Sequence, residues 1–386
     1  MKAFKLFFFW SHFILFVLQQ LNFSESTVSL LKFSIGSLYA VCILLLLVFY
    51  KVRLSLKDLV LIGIVTFFVI AKILVLKSIN IAVIYWLLCF FCFSKMNWKF
   101  EEFLKLVNYA AIAYFVVSIL LVYGPLKGYF SYEVRELENR FIPSINRFIG
   151  IEGSPAGPDL FYTIVLVMNI YYKKFKYLFF SPAFIIACLV IVWTASLSNL
   201  VSLALAILVY LCYKFRIIAI TVLFCFFLIS TYLINRYGYS MEFILNTVTT
   251  LRANIWLQVL TNMSNFNTFE EWVFGRIELM EFLSVGAGSE LYDANPHNLG
   301  LFAYQFLGVP LFILLVYLLV KYISKIPKGI FFFIIAFMIS YSVTNTMPFT
   351  TRGNPVIIYL FAFCLFNYNQ NEKRLSNTVS QRPTTG

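Results

Sequence analysis

Two stretches of this chain hold the residue types that bind phosphate and move protons. The first carries Arg135, Arg140 and Arg147 among Glu133, Glu136, Glu138 and Glu152, and ends in Gly153-Ser154-Pro155-Ala156-Gly157-Pro158-Asp159. The second carries Arg252 four residues before Trp256, then Phe274-Gly275-Arg276, Gly286-Ala287-Gly288 and Asp293-Ala294-Asn295-Pro296-His297-Asn298. A guanidinium matches phosphate oxygens two at a time, which an ammonium does not. Arg140, Arg147 and Glu152 lie nearest the apolar run that follows, so they lead the first set. His297 follows a proline at an expected helix start. Free N–H groups and the helix dipole attract anions there and disfavour a charged imidazole. A neutral His297, oriented by Asp293, can then accept a proton. Arginines and a neutral base together suit transfer of a group carried on phosphate.

The other reactive residues read as structural. His12, the second of two histidines, sits in an apolar run. The seven cysteines all lie in apolar runs, so no disulfide framework is implied. Cys89 and Cys92 form a CxxC that reads as two small buried hydrophobes rather than a redox or metal pair. Asp58, Asp159 and Asp293 are the only aspartates and lie far apart, so no Asp-x-Asp metal site is expected. No glycine-rich nucleotide loop is present. Neither a metal nor another cofactor is expected.

The elements that must position these residues are apolar. The 386 residues have a mean hydropathy of +0.87, and are 61% hydrophobic and 12% charged. That excludes a water-soluble globule, which is about 25% charged. A helix crosses hydrocarbon in about 20 apolar residues. Twelve such runs are expected, near 6–21, 28–50, 59–76, 79–94, 107–124, 159–172, 177–194, 199–213, 217–234, 298–320, 329–347 and 355–368. The fold expected is all-α and polytopic, a single integral membrane domain with a tail over 369–386. The first run resembles a signal peptide but lacks a small-residue cleavage site, so it reads as a retained span.

With the N-terminus inside, the inner segments hold 19 basic residues and four acids, a net +15, and the outer side is −2. The excess of +13 is then a record of orientation under the positive-inside rule, not a nucleic-acid signal. Both termini fall in the cytoplasm. Two long connections, 125–158 and 235–297, fall outside, and they carry the arginines and His297. Ile244, Val248, Leu251, Ile255, Trp256, Val259 and Met263 recur at helical spacing, which predicts an amphipathic helix along the membrane surface.

Arg252-x-x-x-Trp256, a glycine-rich turn, and His297-Asn298-x-x-Leu301 opening a run with Phe306-Leu307-Gly308 resemble the O-antigen polymerase and O-antigen ligase superfamily. The motif covers residues 250–310; elsewhere only length and hydropathy agree. The resemblance implies an inverting, metal-independent glycosyltransferase at the periplasmic face of the bacterial inner membrane. Its donor would be a glycan on undecaprenyl diphosphate, and its acceptor another lipid-linked repeat unit (polymerase) or lipid A core (ligase). It assigns the base to His297 and diphosphate or sugar contacts to Arg252, Trp256 and Asn298. A chain-length regulator in the membrane is a partner of such enzymes. Ligases also carry a Ser-Arg step near the eighth span. Here Thr194-Ala195-Ser196-Leu197-Ser198-Asn199 stands there, with Asn199 in the arginine's place. Arg140, Arg147 or Arg276 would have to supply that contact, and the departure favours a polymerase. A lipid-linked oligosaccharide flippase is the rival class. It fits twelve spans but has no need of two arginine-bearing outer loops.

Overall fold

The structure is a computed structural model. It describes residues 2–51 except 22, 56–76, 98–129, 145–172 except 152 and 154, 178–215 except 179, 269–275, 299–324, 329–344 and 355–366, with short pieces between. The regular elements among these residues are helices, apart from an antiparallel pair of two-residue strands, Leu283–Ser284 (β1) and Leu291–Tyr292 (β2). The helices are α1 Lys2–Leu18, α2 Glu25–Val48, α3 Leu56–Leu76, α4 Phe100–Ser118, α5 Ala156–Tyr172, α6 Pro182–Thr194, α7 Leu197–Lys214, α8 Phe269–Phe274, α9 Leu299–Ile323, α10 Ile330–Thr344 and α11 Pro355–Phe366. Most begin or end within a few residues of an expected apolar run. The runs at 79–94 and 217–234, the amphipathic helix other than Trp256, and the tail lie largely or wholly outside the described residues.

Polar starts extend several helices. Ser24 caps α2, its hydroxyl accepting from the Thr27 N–H at 3.4 Å. α4 starts seven residues before the expected run, because Glu101 and Glu102 sit well in a first turn, against the positive end of the dipole. Its far end widens into a π-helix, Ile119–Tyr123. The whole run Phe100–Tyr123 is long and apolar enough to cross a membrane. Among the described residues it is the one helix to do so alone. Pro182–Thr194 and Asn199–Tyr213, bent by 118°, would add a second if taken as one span.

Aromatic rings fill the interior. Phe16 of α1 stacks on Tyr114 of α4 at 6.5 Å, and Tyr114 meets Phe161 and Tyr162 of α5. The Tyr162 hydroxyl donates to the Ala111 carbonyl at 2.7 Å, and Asn108 and Asn169 exchange two amide hydrogen bonds, so α4 and α5 are tied by polar groups at two levels. His12 is buried between Tyr39 of α2 and Tyr359 of α11, bonding both hydroxyls. That agrees with its structural reading. Cys42, Cys89 and Cys92 are buried and unpaired, and all seven cysteines are free. α6 packs on α5, α7 on α10, and α8 on α9.

Large apolar side chains also cover the outside: Leu56, Leu74 and Phe33 are each more than two-thirds exposed. An exterior of that kind needs lipid or a partner surface against it.

Gly308 interrupts α9 at φ 71° and ψ 170°, two residues before Pro310. A Cβ there would lie 2.2 Å from the Val273 carbonyl oxygen and 2.7 Å from the Gly275 nitrogen. The glycine therefore lets α8, which lies within the second long connection, rest directly on the α9 backbone. Gly308→Ala should lose about 1–3 kcal/mol from a backbone region that is essentially glycine's own, and more from the overlap. A melting curve of the detergent-solubilised protein reads this, and an unchanged midpoint would refute the close approach.

Candidate functional site

The most polar place in the described interior is where α5, α6 and α7 meet. A tight turn, closed by the Gly153 N–H on the Gly150 carbonyl at 3.0 Å, feeds the chain into α5. Asp159 falls in the first turn of α5 and is completely buried. α6 ends at Thr194. The chain then reverses through only two residues, Ala195 and Ser196, and Ser196 caps α7. Ala195 is held at φ 45° and ψ 44°, left-handed without being glycine, which costs roughly 1–2 kcal/mol. Such outliers persist where neighbours over-determine them.

The neighbours here are bonds to Asp159. Thr194 Oγ1 donates to Asp159 Oδ1 at 2.9 Å from one side of the reversal. Asn199 Nδ2 donates to the same oxygen at 2.9 Å from the other side, and to Thr163 Oγ1 at 2.8 Å. Both amide hydrogens of Asn199 are thereby used, which fixes the orientation of its side chain. Asp159 Oδ2 and Asn199 Oδ1 have no hydrogen-bond partner among the described residues. Buried acceptors left over in this way are costly.

Arg147 lies on an extended segment tied to Trp193, next to Thr194, and pinned at each residue. The Trp193 indole donates to the Asn146 carbonyl at 2.7 Å, and the Phe148 N–H donates to the Trp193 carbonyl at 3.3 Å. The Tyr123 hydroxyl donates to the Arg147 carbonyl at 3.2 Å and accepts from the Ile149 N–H at 2.8 Å. The rings of Tyr123, Phe148 and Trp193 pack on one another with centroids 5.1–5.8 Å apart. The Arg147 side chain is half-buried and its charge acts on the Asp159 carboxylate. One cationic side chain is thus set near a buried carboxylate whose donors, Thr194 and Asn199, are already spent on it.

No family model, no curated protein and no solved structure matches the chain.

Of the candidate residues, Arg147 is the one placed at this cluster. Trp256 is helical and half-buried. Arg140, Glu152, Arg252, Arg276, His297 and Asn298 lie outside the described residues. Gly275, next to Arg276, is held on α9 at Gly308. Asn199, in the place where an arginine was expected, instead bonds the residue on which Arg147 acts. Asp159 and Thr194 were missed as site residues. The available signal was Thr194, Ser196 and Asn199, a polar run between two strongly apolar helices. Among the described residues no group of His, Cys, Asp or Glu side chains could hold a metal ion.

Asp159→Ala removes the shared acceptor of the Thr194 hydroxyl and one Asn199 amide hydrogen, at about 1–3 kcal/mol. Asn199→Asp sets a second carboxylate against the first. Both should lower the melting temperature of the purified protein, and Asn199→Leu should do so less than Asn199→Asp. Equal melting of all three and the parent would show that the cluster ties nothing together.

Proposed function

We propose that this chain polymerises a surface polysaccharide such as O-antigen, joining undecaprenyl-diphosphate-linked repeat units en bloc at the periplasmic face of a bacterial inner membrane. The reading includes twelve spans, both termini in the cytoplasm, and the connections 125–158 and 235–297 outside. Its main support is Arg147, whose segment four bonds hold against Tyr123 and Trp193, next to the buried Asp159–Asn199 cluster.

In this reaction the bond between the anomeric carbon of the donor glycan and its phosphate oxygen breaks. An acceptor hydroxyl attacks from the opposite face, so the configuration inverts. The leaving diphosphate gathers charge, and guanidinium groups aimed at it lower the barrier. Arg147 joins Arg252 in that role, with Arg140 and Arg276 as further candidates. The hydroxyl proton passes to a general base, His297, with Glu152 as the other candidate. Asp159 is a positioning residue: it fixes the α6–α7 reversal on which the Arg147 segment rests.

The apolar exterior supports a membrane setting, and an asparagine at position 199 favours polymerase over ligase. A flippase remains the reading of another class, since a buried acid inside a bundle is also a carrier's device.

Deleting the gene and running surface glycolipid on a gel separates these readings. A single repeat on the core marks a lost polymerase. Free lipid-linked polymer with a bare core marks a lost ligase. Repeat units trapped on the inner leaflet mark a lost flippase. Unchanged polymer refutes all three.

In the polymerase reading, His297→Ala abolishes chain extension with the protein still in the membrane; long chains from that variant would remove His297 from the mechanism. Arg252→Lys and Arg147→Lys keep charge but lose the fork geometry. Each should slow polymerisation on the order of ten- to hundred-fold. Wild-type rates from either would remove that arginine from diphosphate binding.

A further inference from the structure

The corner at Asp159 leaves two oxygens over. Asn199 Nδ2 gives one hydrogen to Asp159 Oδ1 at 2.9 Å and the other to Thr163 Oγ1 at 2.8 Å. Asp159 Oδ2 and Asn199 Oδ1 are the remaining oxygens of the same two groups, and neither has a hydrogen-bond partner among the described residues. Asp159 is fully buried and Asn199 is 1% exposed. Two side chains already joined by one hydrogen bond thus end in two acceptors. An ionised carboxylate and an amide oxygen cannot satisfy each other, because neither has a hydrogen to give.

The donors on Oδ1 are few for a buried anion. Thr194 Oγ1 lies 2.9 Å from Asp159 Oδ1 and 3.1 Å from the Ile191 carbonyl, and its one hydrogen is divided between them. The Ser196 hydroxyl and the Arg147 charge also act on the carboxylate. Arg147 is the one charged group to do so among the described residues. The helices packed on α5 add no other. α10 and α11 contain no charged residue. α4 begins beside Tyr171 and Tyr172, so its Glu101, Glu102 and Lys105 lie toward the far end of α5 from Asp159. Cys188 of α6 is exposed, and Lys214 closes the far end of α7.

A single proton answers both oxygens. We infer that Asp159 is a proton-binding site, which the folded protein holds as a neutral carboxylic acid with its Oδ2–H donated to Asn199 Oδ1. Acid and amide are then joined by two reciprocal bonds, one in each direction, and both leftover acceptors are used. The proton is taken from water, and the O–H bond is the only covalent bond formed. Its loss sets an anion against an amide oxygen beside the α6–α7 reversal, so the reversal loosens as the proton leaves. The site holds for any reaction the chain performs.

The test is infrared spectroscopy of the full chain in nanodiscs, with the aspartate side-chain carboxyls labelled with heavy carbon. Besides Asp159 only Asp58 and Asp293 take the label. A carboxylic-acid C=O band should be present at neutral pH, move with the label, move again in heavy water, and vanish in Asp159→Asn. In Asn199→Leu the band should remain and rise in frequency, because the hydroxyl has lost its acceptor. Asp159→Asn keeps a carbonyl for Thr194 and Asn199 and supplies an N–H for Asn199 Oδ1, so it should melt close to the parent in mild acid. Above about pH 4 the unfolded chain has released the aspartate proton. The folded parent therefore binds one proton more, and rising pH should cost it stability that Asp159→Asn keeps. The gap between the two should widen upward from about pH 5.

The absence of a labelled acid band at neutral pH would overturn the inference. So would a band that survives in Asp159→Asn, which would belong to another aspartate, or a parent more stable than Asp159→Asn at every pH, the mark of an ionised carboxylate. A parent that melts higher in sodium chloride than in choline chloride, with no such difference in Asp159→Asn, would overturn it as well by placing a sodium ion on the two oxygens.

Discussion

Burying a carboxylate is expensive unless donors come to it, and three helices are arranged so that donors reach Asp159. Thr194 comes from the end of α6 and Asn199 from the start of α7, while Asp159 itself opens α5. Because the two donors flank a two-residue reversal, one carboxylate oxygen sets the geometry of the whole corner. The left-handed Ala195 is bearable only inside that clamp. Trp193, one residue before Thr194, holds the segment bearing Arg147. The position of the Arg147 backbone thus depends, through Trp193 and Thr194, on the hydrogen bonds to a buried acid.

The aromatic interior has a different task. Rings from α1, α4, α5 and α11 meet without polar cost, as in the stack of Phe103 on Phe363 at 4.6 Å. Edge and stacked contacts of this kind add modest energy to area burial. Where α4 and α5 need registry as well as adhesion, amides appear: the Asn108–Asn169 exchange cannot slide by a turn without stranding both side chains. Adhesion by rings and registry by amides are separated along the same pair of helices.

Helix existence was legible in the sequence because apolar runs are local. Polar first turns were less so: Glu101 and Glu102 read as loop residues, though a helix start suits them. The expectation that Gly308 matters came from a motif, and its physical cause is the close backbone approach of α8. Asp159 was passed over as one of three scattered aspartates, since nothing within its own stretch announces partners 35 and 40 positions away. Asn199 was taken for a missing arginine because a linear comparison sees the vacancy and not the bond that fills it. Arg147 was one of several arginines until Tyr123 and Trp193 fixed its backbone.

The junction of His12 with Tyr359 spans 347 positions of chain. α1 shares this junction with α2 as well as α11, so the contact is complete only when a far later helix arrives. Contacts of such long range are slow to close, and until then His12 has Tyr39 of α2 as its polar partner. During synthesis, then, the bundle is a ring held open at one seam, and any factor that shields α1 over that interval would govern the yield of folded protein more than the strength of the finished contact does.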